Sequence, residues 1–262
     1  MKHLIPLFFL IVLFSCTEAK QEESSKEQEK ELTYQEMSTI QRIERRHRKE
    51  KFLSHDNVKF DIQLTFGGKE RLNGTLTMAT NSSKGLIEMK DGNKVYFIQD
   101  KVYYTPGMNE NKVRFDAYTW SYFFLLPYKL NDEGTIWSET EKTEMNGNWY
   151  NSQRLTFTSG TGDAPDDWYQ VYSDTSSNMI QVAAYIVTAN KSVEKAEEDP
   201  HAIEYSNYQM LNAIPVATEW NFYGWTKEEG LTDTLGNATL SNFEFVEDTD
   251  SLYIPPANFL NN

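Results

Sequence analysis

The sequence predicts an α+β protein that is mainly antiparallel β. A strongly curved half-barrel sheet of about eleven strands carries an N-terminal helix and a central helical plug. Three observations predict it. Stretches with a two-residue hydrophobic period fill most of residues 58–245. Turn signals such as Asp91-Gly92 and Asn146-Gly147 separate them. One dense aromatic run, FDAYTWSYFFLLPYKL at 115–130, interrupts the strands in the middle. Open antiparallel sheets this large tend to curl, and the concave face has to be filled by helices or by ligand.

The chain has 262 residues, 39% hydrophobic and 14% aromatic, ample for a core. The unbroken strand pattern favours one domain over 33–246. It is preceded by a segment 1–15, a tether 16–32, and followed by an extended tail 247–262 with Pro255-Pro256. The net charge of −14 argues against nucleic-acid binding, which needs a basic surface. Lys2 and His3 precede an apolar run over 4–14, the pattern of a signal peptide rather than a membrane span. Cys16 is the only cysteine, so no intrachain disulfide forms. Residues 17–31 are charged, lack large apolar side chains and cannot offset the entropy of ordering by burial.

Thr33 with Glu36 three residues on has the form of a capping box, predicting a helix to about Phe52. Arg42, Arg45, Arg46, Arg48, Lys49 and Lys51 make it basic within an acidic protein. This is either a solvated face or a contact for anionic headgroups or an acidic envelope partner. Val58, Phe60, Ile62, Leu64 and Phe66 then alternate with polar residues in the clearest strand of the chain. Strands at 72–78, 85–90, 94–99 and 101–105 complete a five-stranded meander. In the plug, Phe115, Tyr118, Tyr122 and Leu125 share one stripe, and Trp120, Phe123 and Phe124 fall on other sides, so the helix is covered all round. Pro127 ends it. The plug is either a core helix or the wall of an apolar cavity. After it, strands are expected at 135–144, 149–158, 168–174, 179–188, 201–211, 214–225 and 235–245.

Chemistry is sparse. Asp163, Asp166 and Asp167 form the tightest carboxylate cluster and are weak candidates for calcium, which needs six to eight oxygens. Gly160, Gly162 and Pro165 beside them mark a turn in which Asp is common anyway. No nucleophile, phosphate loop or histidine partner accompanies them, and His3, His47, His55 and His201 make no metal-ligand spacing. The expectation is a non-enzymatic protein without a cofactor.

Leu13-Phe14-Ser15-Cys16 resembles a bacterial lipobox. That resemblance implies cleavage before Cys16, a diacylglyceryl anchor on its sulfur and an outer membrane lipoprotein on the periplasmic face or the cell surface. Glu18, Glu22 and Glu23 loosely resemble the surface-export signals of Bacteroidota lipoproteins. Gly162-Asp163-Ala164-Pro165-Asp166-Asp167-Trp168-Tyr169, with Phe123-Phe124-Leu125-Leu126-Pro127-Tyr128 before it and Glu219-Trp220-Asn221-Phe222-Tyr223-Gly224-Trp225 after it, resembles a family of flavobacterial (Bacteroidota) envelope lipoproteins. The order of elements is similar to the LolA/LolB lipoprotein-carrier superfamily. That resemblance implies a half-closed barrel whose helices lid an apolar cavity, with an acyl chain or other lipid as ligand. The residues expected to line it are Phe60, Ile62, Leu64, Tyr122, Phe124, Leu125, Trp220 and Phe222. The alternative is an envelope interaction or assembly module with a filled core.

Overall fold

The computed structural model describes residues 33–189, 191–249 and 251–261. The signal segment, Cys16 and the tether therefore lie outside the described residues.

The first helix starts later than expected, and it is broken. Thr33 and Glu36 do bond to each other, with the Thr33 N–H and hydroxyl donating to Glu36 Oε2 at 2.9 and 2.8 Å, but they close only a turn. The helix begins after Ser38, which forms a reciprocal capping box with Gln41. Helix α1 (Thr39–Arg46) and helix α2 (Lys49–Leu53) are separated by Arg48 in a left-handed conformation (φ 61°, ψ 41°). The stripe Ile40, Ile43, His47 would place Glu50 or Lys51 inward in an unbroken helix. The left-handed residue turns the next segment so that Phe52 enters the core instead, where it is 0% exposed.

The strands are β1 (Asn57–Phe66), β2 (Lys69–Ala79), β3 (Lys84–Met89), β4 (Lys94–Ile98) and β5 (Lys101–Tyr104), the expected meander. Helix α3 (Glu110–Leu125) and a short 3-10 turn (Leu126–Tyr128) follow. Then come β6 (Thr135–Trp137), β7 (Glu141–Met145), β8 (Asn148–Phe157), β9 (Tyr169–Asp174), β10 (Ile180–Tyr185), helix α4 (Val193–Ala196), β11 (His201–Leu211), β12 (Ile214–Thr226), β13 (Gly230–Val246) and β14 (Leu260–Asn261). All pairings are antiparallel, in the order β14-β5-β4-β3-β2-β1-β13-β12-β11-β10-β9-β8-β6, with β7 also on β8. The pairing of β1 with β13 (Ile62 opposite Leu240, Leu64 opposite Ala238) joins the two halves of the chain. The sheet curves but does not close, because the path ends at β14 and at β6. Gly74 and Gly236 flank β1 on its two sides. A Cβ at either would lie 2.2 or 2.1 Å from a carbonyl oxygen of the adjoining strand, so the close backbone approach there requires glycine.

The largest departures from the expected strands are at residues 135–144 and at the start of β13. Residues 135–144 form β6 and β7 rather than one strand, both along the same edge of β8. Between them Ser138 takes over, its carbonyl accepting from the Gln153 amide at 2.9 Å and its hydroxyl from the Arg154 N–H at 2.9 Å. Strand β13 starts at Gly230 instead of 235, because its first residues pair with Trp225 and Thr226 despite carrying no apolar alternation.

The main core occupies the concave face beneath α1, α2 and α3. The convex face carries two smaller cores. Trp168, Tyr172, Val182 and Trp225 are capped by Ala196 of α4. Leu86 and Tyr96 are capped by Tyr253 of the C-terminal tail. The tail thus docks: the Tyr253 hydroxyl donates to Asn57 Oδ1 at 2.7 Å, and β14 pairs with β5.

Candidate functional site

Helix α3 is held across the concave face at three levels. Asn109 caps it, its side-chain oxygen accepting the Lys112 N–H at 3.1 Å. In the first turns Asp116 is 2% exposed and accepts from Trp120 Nε1 at 2.9 Å and Arg71 at 3.3 Å. Burial pushes its carboxyl above the usual range, and the Arg71 guanidinium opposes that shift. Further along, Phe124 stacks on Phe60 (centroids 4.4 Å apart), Phe123 meets Tyr185 (4.8 Å), and the Tyr205 hydroxyl donates to the Phe123 carbonyl at 2.9 Å.

Of the eight residues expected to line a cavity, Phe60, Ile62, Leu64, Phe124, Leu125, Trp220 and Phe222 meet in this one core. Tyr122 sits on its flank against Phe157 and Tyr169, and its buried hydroxyl has no partner among the described residues. Phe60, Ile62, Leu64, Leu125 and Phe222 pack against neighbours at 2% exposure or less. Phe124 and Trp220 also line a narrow cavity.

The larger opening is where the sheet parts. The ladder between β12 and β13 ends at Glu219 opposite Thr239. Beyond it, the start of β12 stays with β11, and the end of β13 stays with β1. Two sequence features lie within the diverging segments. Pro215 has no N–H to give a ladder. Asn242 is left-handed (φ 54°), with a register shift between Lys59 and Asp61 on the facing strand. The resulting cleft has a volume of about 420 Å³. Its lining is mixed: Val216, Leu240, Phe243, Met210 and Leu211 are apolar, and Asn207, Gln209, Thr218, Glu219, Thr239, Ser241 and Asn242 are polar. That volume falls within the range of small-molecule sites.

A second cavity of about 10 Å³ lies behind the cleft and shares Val216 with it. That is room for about one water. His47, Phe124, Tyr128, Tyr208 and Trp220 line it. His47 is 0% exposed, and its Nε2 accepts the Ile180 N–H at 3.2 Å. In the neutral ring the proton is therefore on Nδ1, which has no partner among the described residues. Burial lowers its pKa to about 3, so the ring is neutral at physiological pH.

The other titratable candidates do not converge. Asp163 pairs with Arg114. Asp167 accepts the Thr188 N–H and hydroxyl at 2.8 and 2.7 Å. Among the described residues no group of three or more acidic, His or Cys side chains is arranged to hold a metal ion. His55 stacks on Phe245, and His201 lies 3.5 Å from Asp199. No helix among the described residues is long and apolar enough to cross a membrane.

No protein-family model and no curated protein matches the sequence. Solved structures do match the fold. A LolA superfamily protein from Nitrosomonas europaea superposes with TM-score 0.56 at 10% identity, covering 84% of this chain and 99% of that one. A DUF1329 family protein from Desulfovibrio piger gives 0.53 at 12%, covering 83% and 98%. A candidate outer membrane lipoprotein-sorting protein domain from Vibrio parahaemolyticus gives 0.50 at 9%, covering 81% and 94%. The chain has a LolA-like fold.

Proposed function

We propose that this chain is a lipid-anchored cell-envelope protein that binds an acyl chain or another hydrophobic ligand without catalysis. The carrying observation is the cleft where β12 and β13 part, whose apolar residues Val216, Leu240 and Phe243 lie beside the aromatic core under α3 and whose other lining is largely polar. The LolA-like fold is consistent with an envelope binding protein, and the lipobox resemblance at Cys16 with anchoring at the outer membrane. Affinity comes from apolar burial at roughly 25 cal/mol per Å², with the polar lining orienting a head group. Longer chains need α3 or the 3-10 turn to give way, because the space beneath them is packed. A fluorescent fatty-acyl probe tests this. It binds the native protein and loses about tenfold or more in affinity when Ser241→Trp fills the cleft from its exposed rim. Binding unchanged in that variant contradicts the site. Mass analysis of the mature N-terminus tests the anchor, and an unmodified Cys16 defeats it.

The packed concave face favours a second reading, an envelope interaction or assembly module with a filled core. Absence of any acyl binding by the native protein would leave this one standing.

A further inference from the structure

The break at Arg48 gives α1 and α2 a surface unlike the rest of this acidic protein. Their inner residues Ile40, Ile43, His47 and Phe52 are buried, while Arg45, Arg46, Arg48 and Lys51 are exposed. Glu44, the one acidic residue of α1, is turned inward to Lys49 and to Asn131, so it does not neutralise that face. Glu50 is the single exposed acid of the two helices. Leu53 and Tyr34 add exposed apolar surface at 41% and 50%. The chain enters the domain here: the tether leads into Tyr34, which sits under Arg42 with the guanidinium 6.0 Å from its ring. The cleft lies alongside. Phe52 and His55 pack on Phe245, next along β13 from the cleft residue Phe243, and His47 lines the cavity behind it.

We propose that the Arg45–Arg46–Arg48–Lys51 face docks on an anionic phospholipid bilayer and holds the mouth of the cleft beside the membrane surface. Charge complementarity singles out the bilayer as occupant, and the tether's entry beside this face supports it on the anchor reading proposed above. Docking itself is independent of the ligand reading. Only its consequence, a cleft presented to membrane amphiphiles, rests on it.

The test uses the full chain carrying Cys16→Ser, which can take no anchor, and vesicles of phosphatidylcholine with and without roughly 30% phosphatidylglycerol. The expected result is stronger partitioning to the anionic vesicles, weakened by salt because exposed charges are screened. Each of Arg45→Gln, Arg46→Gln, Arg48→Gln and Lys51→Gln lowers that partitioning about fivefold. The fourfold variant loses the anionic preference while keeping the native melting profile and its acyl-probe affinity. Any contribution of the N-terminal apolar segment is common to all variants and cancels. Equal partitioning of the parent chain to both vesicles overturns the proposal, as does an anionic preference that survives in the fourfold variant. A face that cross-links to an acidic envelope protein and ignores both vesicles also overturns it. Loss of acyl-probe binding with intact anionic partitioning overturns the ligand reading instead.

Discussion

At the scale of single residues, His47 makes stability depend on pH. It is buried neutral, with its pKa lowered from 6.5 to about 3 by desolvation. As pH falls through 6.5 the unfolded chain takes up a proton that the folded chain refuses. The His47 contribution is therefore intact above pH 6.5 and is lost progressively toward pH 3. Between pH 7 and 5 that loss is about 2 kcal/mol. His47→Gln, whose amide can still accept the Ile180 N–H, lacks this component, and denaturant melts at the two pH values measure the difference. His201 is lowered in the same direction by burial, so it remains in the variant as a smaller slope. Arg48 makes a second residue-scale case. A left-handed L-residue costs about 1–2 kcal/mol, partly offset by the entropy glycine would lose on folding. Arg48→Gly is expected to raise stability by about 0.5–1 kcal/mol in the same melts. A loss larger than 1 kcal/mol would mean that the arginine side chain, rather than its charge at the surface, holds this bend.

At the scale of elements, α3 joins the sheet through both aromatic packing and a buried charge. Asp116 ties its N-terminal half to β2 through Arg71, which is 31% exposed. Breaking a fully buried pair by removing one partner costs about 3–5 kcal/mol. Because Arg71 reaches solvent, Arg71→Ala is expected to cost nearer 2 kcal/mol, with hydrogen exchange rising first in the early turns of α3. Exchange rising instead along β2, with α3 unchanged, would place the anchor elsewhere. The helix itself was legible in the sequence, because aromatics on every side demand cover on every side. Its first turn was not, since Glu110, Asn111 and Lys112 carry no apolar residue and only the Asn109 cap marks the start. The split of α1 from α2 was hidden for a related reason. Nothing in Arg48 itself favours a left-handed backbone; the bend is imposed by where Phe52 has to go.

At the scale of the whole molecule, the curved meander was readable because alternation in β1 and β12 is clean and the turns carry Asp-Gly and Asn-Gly. The residues expected around a ligand do meet, but most of them meet as packed core. Alternation reveals which face is apolar. It does not reveal whether a helix already fills that face. The cleft was missed because it arises where two ladders diverge, a property of pairing rather than of any one strand. Pro215, the second residue of β12 and unable to donate to a ladder, was the signal the sequence did carry near it. Native mass spectrometry of the full chain with Cys16→Ser, purified without added detergent or lipid and followed by lipid extraction, tests whether the cleft holds a ligand. The expected result is a co-purifying amphiphile that is absent from the Ser241→Trp variant. A ligand-free mass in both proteins, with no uptake of added acyl chain, would contradict it.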